Sequence, residues 1–423
     1  MKKEDVKIGI YGASSQSGMA YFADYIKKGF AVIGYIRSTP HGMAIKDSIV
    51  QSNGIWLERP PNQNNEPSVF VNLGGNEITH DLSRIIDQVD IIIIPIPAQY
   101  HLDAVNKLLD NGLLIKRVPL VLSPSRTFGT PYLWKVLGEG YPVSCFSTSP
   151  YSCKISDYSN VYIKRRKRTW LASLEGEFKT EHIALLDLLF PQAAFCKVPA
   201  LTSLNNIGAV FHPAGYLMNR ETIEIRERSG TKFLFYIEGI ADRPEVAAII
   251  EKIDQVRLKI ANSLNIDTFG LESNPREEIW GKLINGLRAL EQEHENEIEV
   301  LRRIRKQFNE YISSCVISAQ HWLDITYGVQ RIPGEPLSET IRRTPTYQKN
   351  SVPQSRYIHE DIPTGLVPLE ALAMIFSVDH KVISDLIDLY ENKYDDQIRS
   401  SGRNLKEFGV EYVKQYLTGN YNG

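Results

Sequence analysis

One stretch limits the possible folds more than any other: "VKIGIYGASSQSGMAYFADYIKKGFAVIGYIR", residues 6–37. A β-branched run ends in Gly12, apolar residues then recur at helical spacing as far as Gly29, and a second β-branched run follows. Strand, tight turn, helix and strand in that order make a βαβ unit, whose parallel strands need helices packed over their sheet. Further buried strands are expected at "DIIIIPI" (90–96), "VPLVLS" (118–123) and "PVSCFST" (142–148), with "HLDAVNKLL" as a helix between the first two. "VYIKRRKRTWLASL" (161–174) reads as a hairpin or strand pair. The first half is therefore expected to be α/β, with a parallel sheet.

Beyond about residue 200 strand signals nearly vanish and helical periods take over. "RPEVAAIIEKIDQVRLKIANSLNI" sets Val246, Ile249, Ile250, Ile253, Ile260 and Leu264 on one face, with Asp242 placed to cap and Pro244 in the first turn. Residues 276–327 read as mostly helix. Leu301, Ile304, Phe308 and Ile312 keep helical spacing beneath the charges of "EQEHENEIEVLRRIRKQFNEY", so those charges mark a solvated face. A loop rich in Pro, Thr and Ser is expected over 332–355, before "RYIHEDIPTGLVPLEALAMIF". The expected division is an α/β domain over 1–200 and a mainly α-helical domain over 201–423.

A chain of 423 residues, 43% of them hydrophobic, can bury cores for two or three domains. Its 48 Lys and Arg against 50 Asp and Glu leave a formal charge of −2, so no overall field draws it to nucleic acid or an anionic membrane. The run Lys164-Arg165-Arg166-Lys167-Arg168 has no aromatic platform beside it and is expected to be a solvated hairpin, not a nucleic-acid site. Cys145, Cys153, Cys196 and Cys315 are irregularly spaced with no C-x-x-C pair, which suits a reducing compartment and gives no metal site. "MKKEDVKIGIYG" passes through acidic residues into a glycine turn unlike a signal peptide, and prolines break "VDIIIIPIPA". A cytoplasmic protein with small-molecule partners is expected.

The turn after the first strand reads Gly12-Ala13-Ser14-Ser15-Gln16-Ser17-Gly18. A glycine leaving a strand permits a tight turn, small residues let a pyrophosphate reach backbone N–H groups, and a later glycine lets helix and sheet pack closely. The spacing is G-x-x-x-x-x-G, with Ser14, Ser15 and Ser17 where dinucleotide loops often carry more glycine; a plain βα turn is the alternative. The second strand ends in Arg37-Ser38-Thr39, where an NAD enzyme would carry an acid for the ribose hydroxyls. Arg37 suits a 2′-phosphate instead, so NADP(H) is favoured and NAD(H) kept as the second choice.

His212 in "NNIGAVFHPAGYLMN" would, alone, be read as a core or helix-start residue. Pro213 biases it to extended backbone and itself suits a first helical turn, so a junction into a helix is expected there. In "RYIHEDIPTGLVP", Arg356 and Asp361 stand five residues apart. Asp361 could orient an imidazole and Arg356 could grip a carboxylate, or the two could be a cap and a surface ion pair.

Taken together, "GAVFHPAGYLMN", "FLFYIEG" with the "IDQVRLKIA" helix, and "RYIHEDIPTGLVP" resemble the C-terminal domain of the octopine/nopaline (opine) dehydrogenase family. "LSPSRTFG" and "TSPYSCKI" stand where that family has its loop after a strand and its Thr-x-Pro segment. The chain is also similar to the branch that makes opine metallophores such as staphylopine. The resemblance implies a Rossmann-type dinucleotide-binding domain over 1–200, a helical substrate domain over 201–423 and an active site in the cleft between them. It implies roles for His212 as acid/base, Asp361 as its partner, Arg356 as a substrate-side charge and Thr148 as a contact in the oxo-acid region. The serine-rich loop and the long helical segment over 276–327 depart from the family pattern.

The implied reaction joins an amino-acid amine to a pyruvate-like 2-oxo acid and reduces the imine with hydride. Loss of water from the carbinolamine calls for a group titrating near neutrality, as imidazole does at about 6.5. Arg356, Arg126 and Thr148, in falling order, are candidates for the oxo-acid carboxylate. The helices around Trp280 and Trp322 are expected to shape the amine pocket or an interface such as that of a homodimer. An NADP-dependent 2-hydroxy-acid or polyol dehydrogenase and a non-catalytic NADP-sensing protein remain as alternatives; turnover of an oxo acid without amine marks the first, and cofactor binding without any oxidation the second.

Overall fold

The computed structural model describes residues 2–60, 67–167, 169–270, 277–294, 298–330, 332–349 and 356–421. They divide into two compact units. The first comprises residues up to 125 and 129–199; the second comprises 126–128 and 200–421, so the chain enters the second unit for three residues before the first is complete.

In the first unit, the expected strands form as β1 (Lys7–Tyr11), β2 (Ala31–Tyr35), β6 (Ile91–Ile94), β7 (Leu120–Leu122) and β8 (Val143–Phe146), with β3 (Gly54–Glu58), β4 (Val69–Asn72) and β5 (Ile78–Thr79) between them. β9 (Tyr151–Asp157), β10 (Asn160–Arg166), β11 (Trp170–Glu175) and β12 (Ala193–Cys196) follow. The eight-stranded sheet runs β12-β11-β8-β7-β6-β1-β2-β5, parallel throughout except where β11 meets β8. Ile91 to Ile94 have no exposure at all, as a strand covered on both faces requires. β1 lies between β2 and β6, so the strand order reverses at its end, and that end is where doubly wound sheets open a crevice for ligands.

The hairpin expected over 161–174 does not form. β10 pairs with β9 and β3 in a separate four-stranded sheet, β4-β3-β10-β9, while β11 joins the large sheet. Buried charge fastens the small sheet down. Asp24, on helix α1 (Gln16–Lys27), is wholly buried; its carboxylate lies 3.0 Å from Lys28 Nζ and 3.4 Å from Arg59 Nη2, accepts a 2.6 Å hydrogen bond from Tyr151 Oη, and also meets Arg166. The basic run is therefore no solvated hairpin: Arg166 turns to Asp24 and Lys167 donates to the Thr148 hydroxyl, while Arg168 lies outside the described residues.

The second unit is mainly helical, with one short parallel pair, β13 (Asp267–Phe269) and β14 (Cys315–Ile317). Its long helix Pro244–Ser263 buries Val246, Ile250, Ile253 and Ile260, with Ile249 half-buried. Asp242 does not cap it: its N–H still bonds back to Ile237 O in the preceding turn, so Arg243 takes the cap position and the Asp242 carboxylate receives Arg342 Nη1 at 2.7 Å. The expected helices over 276–327 are Glu277–Glu293, Ile298–Ile312 and Ala319–Tyr327. Ile304 and Ile312 are buried, while the side chains of Leu301, Phe308 and Trp280 lie outside the described residues. The loop expected over 332–355 contains a helix, Leu337–Arg342, whose first amide donates to Glu251 Oε1 at 2.8 Å, a cap supplied from another helix. Among the described residues no helix is long and apolar enough to cross a membrane.

Burial pushes the Asp24 carboxyl up, but Lys28, Arg166 and the Tyr151 hydroxyl outweigh it and hold it below its ordinary value. A carboxyl depressed on folding contributes stability above its unfolded pKa and loses it as pH falls through the folded one. Asp24→Asn is therefore expected to cost about 3 kcal/mol near neutrality, a gap that narrows on acidification, measured by denaturant unfolding across pH.

Candidate functional site

Residues 207–217 form one helix with Pro213 inside it, so His212 sits mid-helix and not at the junction that the His-Pro step suggests. Proline removes a helical N–H and normally costs about 3 kcal/mol there. Burial of Ile207, Val210, Phe211, Ala214, Tyr216 and Leu217 around the helix outweighs that cost. The helix ends at Leu217; Tyr216 is fully buried, and the Asn219 amide donates to Gly215 O and Gly239 O, each at 2.8 Å.

The structure brings His212 and Asp361 together. Asp361 ends the helix Arg356–Asp361, is 0% exposed, and its Oδ2 lies 2.6 Å from His212 Nδ1. An ionised carboxylate can only accept, so Nδ1 carries a proton and donates it, and Nε2 is left for chemistry. Tyr236 Oη stands 3.5 Å from Nε2, at the limit of a hydrogen bond, and the Tyr357 and Phe235 rings flank the imidazole at 5.0 and 6.4 Å. Tyr236 is stacked on Tyr347 with centroids 3.7 Å apart, which fixes its ring, and burial drives its hydroxyl far above the ordinary phenol range, so it stays protonated.

Arg126 lies on the far side of Asp361. Its Nη1 is 3.0 Å from Asp361 Oδ1 and 3.3 Å from Asn206 Oδ1, and its Nε donates to Glu360 Oε1 at 2.9 Å. Burial raises the Asp361 carboxyl, but Arg126 and then His212 outweigh it and hold it below the usual carboxylate range. Two small residues permit the approach. A Cβ on Gly208 would fall 2.5 Å from Arg126 Nη1 and 2.9 Å from Asp361 Oδ1, and one on Gly365 would fall 2.5 Å from the Ala209 methyl.

Of the other expected site residues, Arg356 begins the Asp361 helix, but its side chain lies outside the described residues. Thr148 belongs to the first unit, follows β8 and is half-buried, its hydroxyl accepting from Lys167. The Gly12–Gly18 turn links β1 to α1. Gly12 has φ +80, which only glycine adopts without strain, and a Cβ on Gly18 would overlap Gly12 O at 2.1 Å. Gly12 and Ala13 donate to Tyr35 O, and Ser15 caps α1 by accepting from Gly18 N at 3.0 Å while its hydroxyl reaches Pro95 O at 3.3 Å, beyond β6. The amides of Ser14, Gln16 and Ser17 bond to no carbonyl among the described residues, so they are donors free for an anion at a helix N-terminus. Such a turn fits a dinucleotide pyrophosphate. Arg37 and Ser38 are exposed beyond β2, followed by Thr39, which caps α2 (Pro40–Ser52) by accepting from Gly42 N.

Sequence reasoning did not single out Tyr236, Glu360 or Gly208. Tyr236 stands inside the quoted "FLFYIEG" segment and Glu360 beside Asp361, yet nothing local marks either. Gly208→Ala is expected to destabilise the protein by about 1–3 kcal/mol, read by thermal unfolding. It should also abolish the low-field proton resonance of His212 Nδ1–H, assigned by its loss in His212→Gln.

Residues 196–394 match the family described as NAD/NADP octopine/nopaline dehydrogenase, alpha-helical domain. A curated relative, "Opine dehydrogenase" of Arthrobacter sp. (strain 1C), is 26% identical over 344 residues, covering 79% of either chain. Octopine dehydrogenase, solved with NADH and L-arginine, is similar at a TM-score of 0.69 and 17% identity over 99% of both chains. Yersinopine dehydrogenase, solved with NADP+, is similar at a TM-score of 0.56 and 12% identity over 99% of this chain and 96% of that one. The structures share the fold, a Rossmann-like sheet followed by a helical region, and the family match falls on the helices that carry His212 and Asp361. By that match, residues 196–394 resemble the alpha-helical domain of the octopine/nopaline dehydrogenase family, and the chain shares the fold of octopine dehydrogenase.

Proposed function

We propose that this protein is an opine dehydrogenase, condensing the amine of an amino acid or amino-acid derivative with a pyruvate-like 2-oxo acid and reducing the product to an N-(carboxyalkyl) amino acid. The observation that carries this reading is the 2.6 Å contact from His212 Nδ1 to the buried Asp361 carboxylate, which leaves Nε2 beside Tyr236 Oη. Attack of the amine on the oxo carbon gives a carbinolamine. The protonated imidazole gives its Nε2 proton to the hydroxyl, the C–O bond breaks, and water leaves an iminium carbon. Asp361 offsets the positive charge on the ring before that proton is given up. The Tyr236 hydroxyl supplies a second donor at the same edge. Arg356 and Thr148 are the groups we assign to the oxo-acid carboxylate.

The nicotinamide cofactor supplies the hydride when bound. The free amides of Ser14, Gln16 and Ser17 would hold its pyrophosphate, with Gly12, Ala13, Ser15 and Gly18 shaping the turn. Arg37 and Ser38 would take a 2′-phosphate, which favours NADP(H) with NAD(H) as the weaker donor. Octopine dehydrogenase has been solved with NADH and yersinopine dehydrogenase with NADP+, so both cofactors occur among proteins of this fold.

The direct test incubates the protein with NADPH or NADH and a matrix of 2-oxo acids and amines, including free amino acids and larger metallophore precursors. Mass spectrometry should find a reduced condensation product in which both substrates are needed. Turnover of an oxo acid alone, or binding without turnover, overturns the reading. His212→Ala is expected to lower kcat by about a thousandfold while NADPH binding holds. Arg37→Ala should raise KM for NADPH about tenfold and leave that for NADH unchanged, measured by initial rates.

A further inference from the structure

Arg126 was expected among the groups that grip the oxo-acid carboxylate, but its guanidinium faces two carboxylates of the protein itself. Its side chain is only 10% exposed, with Glu360 at Nε and Asp361 at Nη1. The segment that delivers it is held in a costly backbone: φ is +62 at Arg126 and +53 at Phe128, values that non-glycine residues rarely adopt. Hydrogen bonds from the second unit hold it there. Thr127 N donates to Thr364 O at 3.1 Å and Thr127 Oγ1 to Ser203 O at 3.0 Å, Phe128 N donates to Ser203 Oγ at 3.1 Å, and Arg403 Nη1 donates to Thr127 O at 2.8 Å. A backbone strained and fastened in this way is built to place one side chain.

One guanidinium lies between two carboxylates, all largely out of water, and one of those carboxylates also meets His212. Among the described residues, the titratable and charged groups around the cluster include Tyr357 and Glu360 on the Asp361 helix, His212 and Tyr216 on the helix of residues 207–217, Tyr236 beyond the ring, and Arg403 against Thr127 O. Burial keeps the Tyr216 and Tyr236 hydroxyls protonated, and Arg126 and Glu360 are charged groups set beside the pair.

We propose that Arg126 and Glu360 are positioning residues that set the charge of the His212–Asp361 pair, Arg126 holding Asp361 as an acceptor for Nδ1–H and Glu360 supplying the negative charge that keeps a proton on the imidazole. The assignment rests on the acid role proposed for His212. Removing the guanidinium favours the protonated pair, and removing the Glu360 carboxylate disfavours it. The two losses therefore act with opposite signs on one titration.

The test is an NMR titration of the His212 ring in the full-length protein, assigned with His212→Gln, alongside thermal unfolding. Arg126→Gln should move the midpoint up by about one pH unit and Glu360→Gln should move it down by about as much, while Arg126→Lys stays near the wild-type protein. A merely structural pair would lower the unfolding temperature in both variants without that reversal of sign. Midpoints that move the same way, or do not move, in folded variants overturn the proposal. Where Arg126→Gln fails to fold, Glu360→Gln against Arg126→Lys decides: a lowered midpoint in the first alone supports the assignment, and an unmoved one overturns it. The titration reads the imidazole without any turnover, so a missing condensation product would sink the reaction, and missing opposite shifts would sink this assignment.

Discussion

A carboxylate with no exposure to water must find its counter-charge and its hydrogen bonds inside the protein, and much of the second unit is arranged to satisfy Asp361. Arg126 takes one oxygen and His212 the other. To bring Arg126 there, the chain accepts left-handed backbone at two non-glycine residues and enters the second unit for three residues. To bring His212 there, it accepts a proline inside a helix. Gly208 and Gly365 then keep the crossing free of side-chain atoms that would push the charges apart.

The first unit answers a different constraint. Its parallel sheet is buried on both faces, and the βα turn after β1 must satisfy its own amides. Ser15 and Tyr35 O engage part of the turn and leave the amides of Ser14, Gln16 and Ser17 open, which is why the same loop both starts a helix and can receive an anion. Asp24 plays a role like that of Asp361, as a buried acid held by cations, but it binds a small sheet to a helix.

Several features were legible because they are local. β-branched runs bounded by glycine mark β1, β2 and β6, and helical spacing of apolar residues marks Pro244–Ser263. Others were not, because the deciding partner is distant in the chain. β10 and β11 look like the arms of a hairpin, yet each finds its neighbours elsewhere, in β9 and β3 for one and β8 and β12 for the other. Asp242 has the chemistry of a helix cap, but the turn before it keeps its N–H and Arg342 takes its carboxylate. The segment over 332–355 has the composition of a loop, and a carboxylate from another helix caps the turn that forms there.

By itself the sequence determined the βαβ opening and the helical second half, since each is written in spacing that a strand or helix converts directly into a face. Tertiary structure decided what the charged groups are for. Arg126 and Glu360 lie 234 positions apart and His212 and Asp361 149 apart, and no periodicity spans such distances. Only packing showed that Arg126 turns to the protein's own carboxylates, because burial makes an unpaired charge too costly and gives the guanidinium to the acids that need it most.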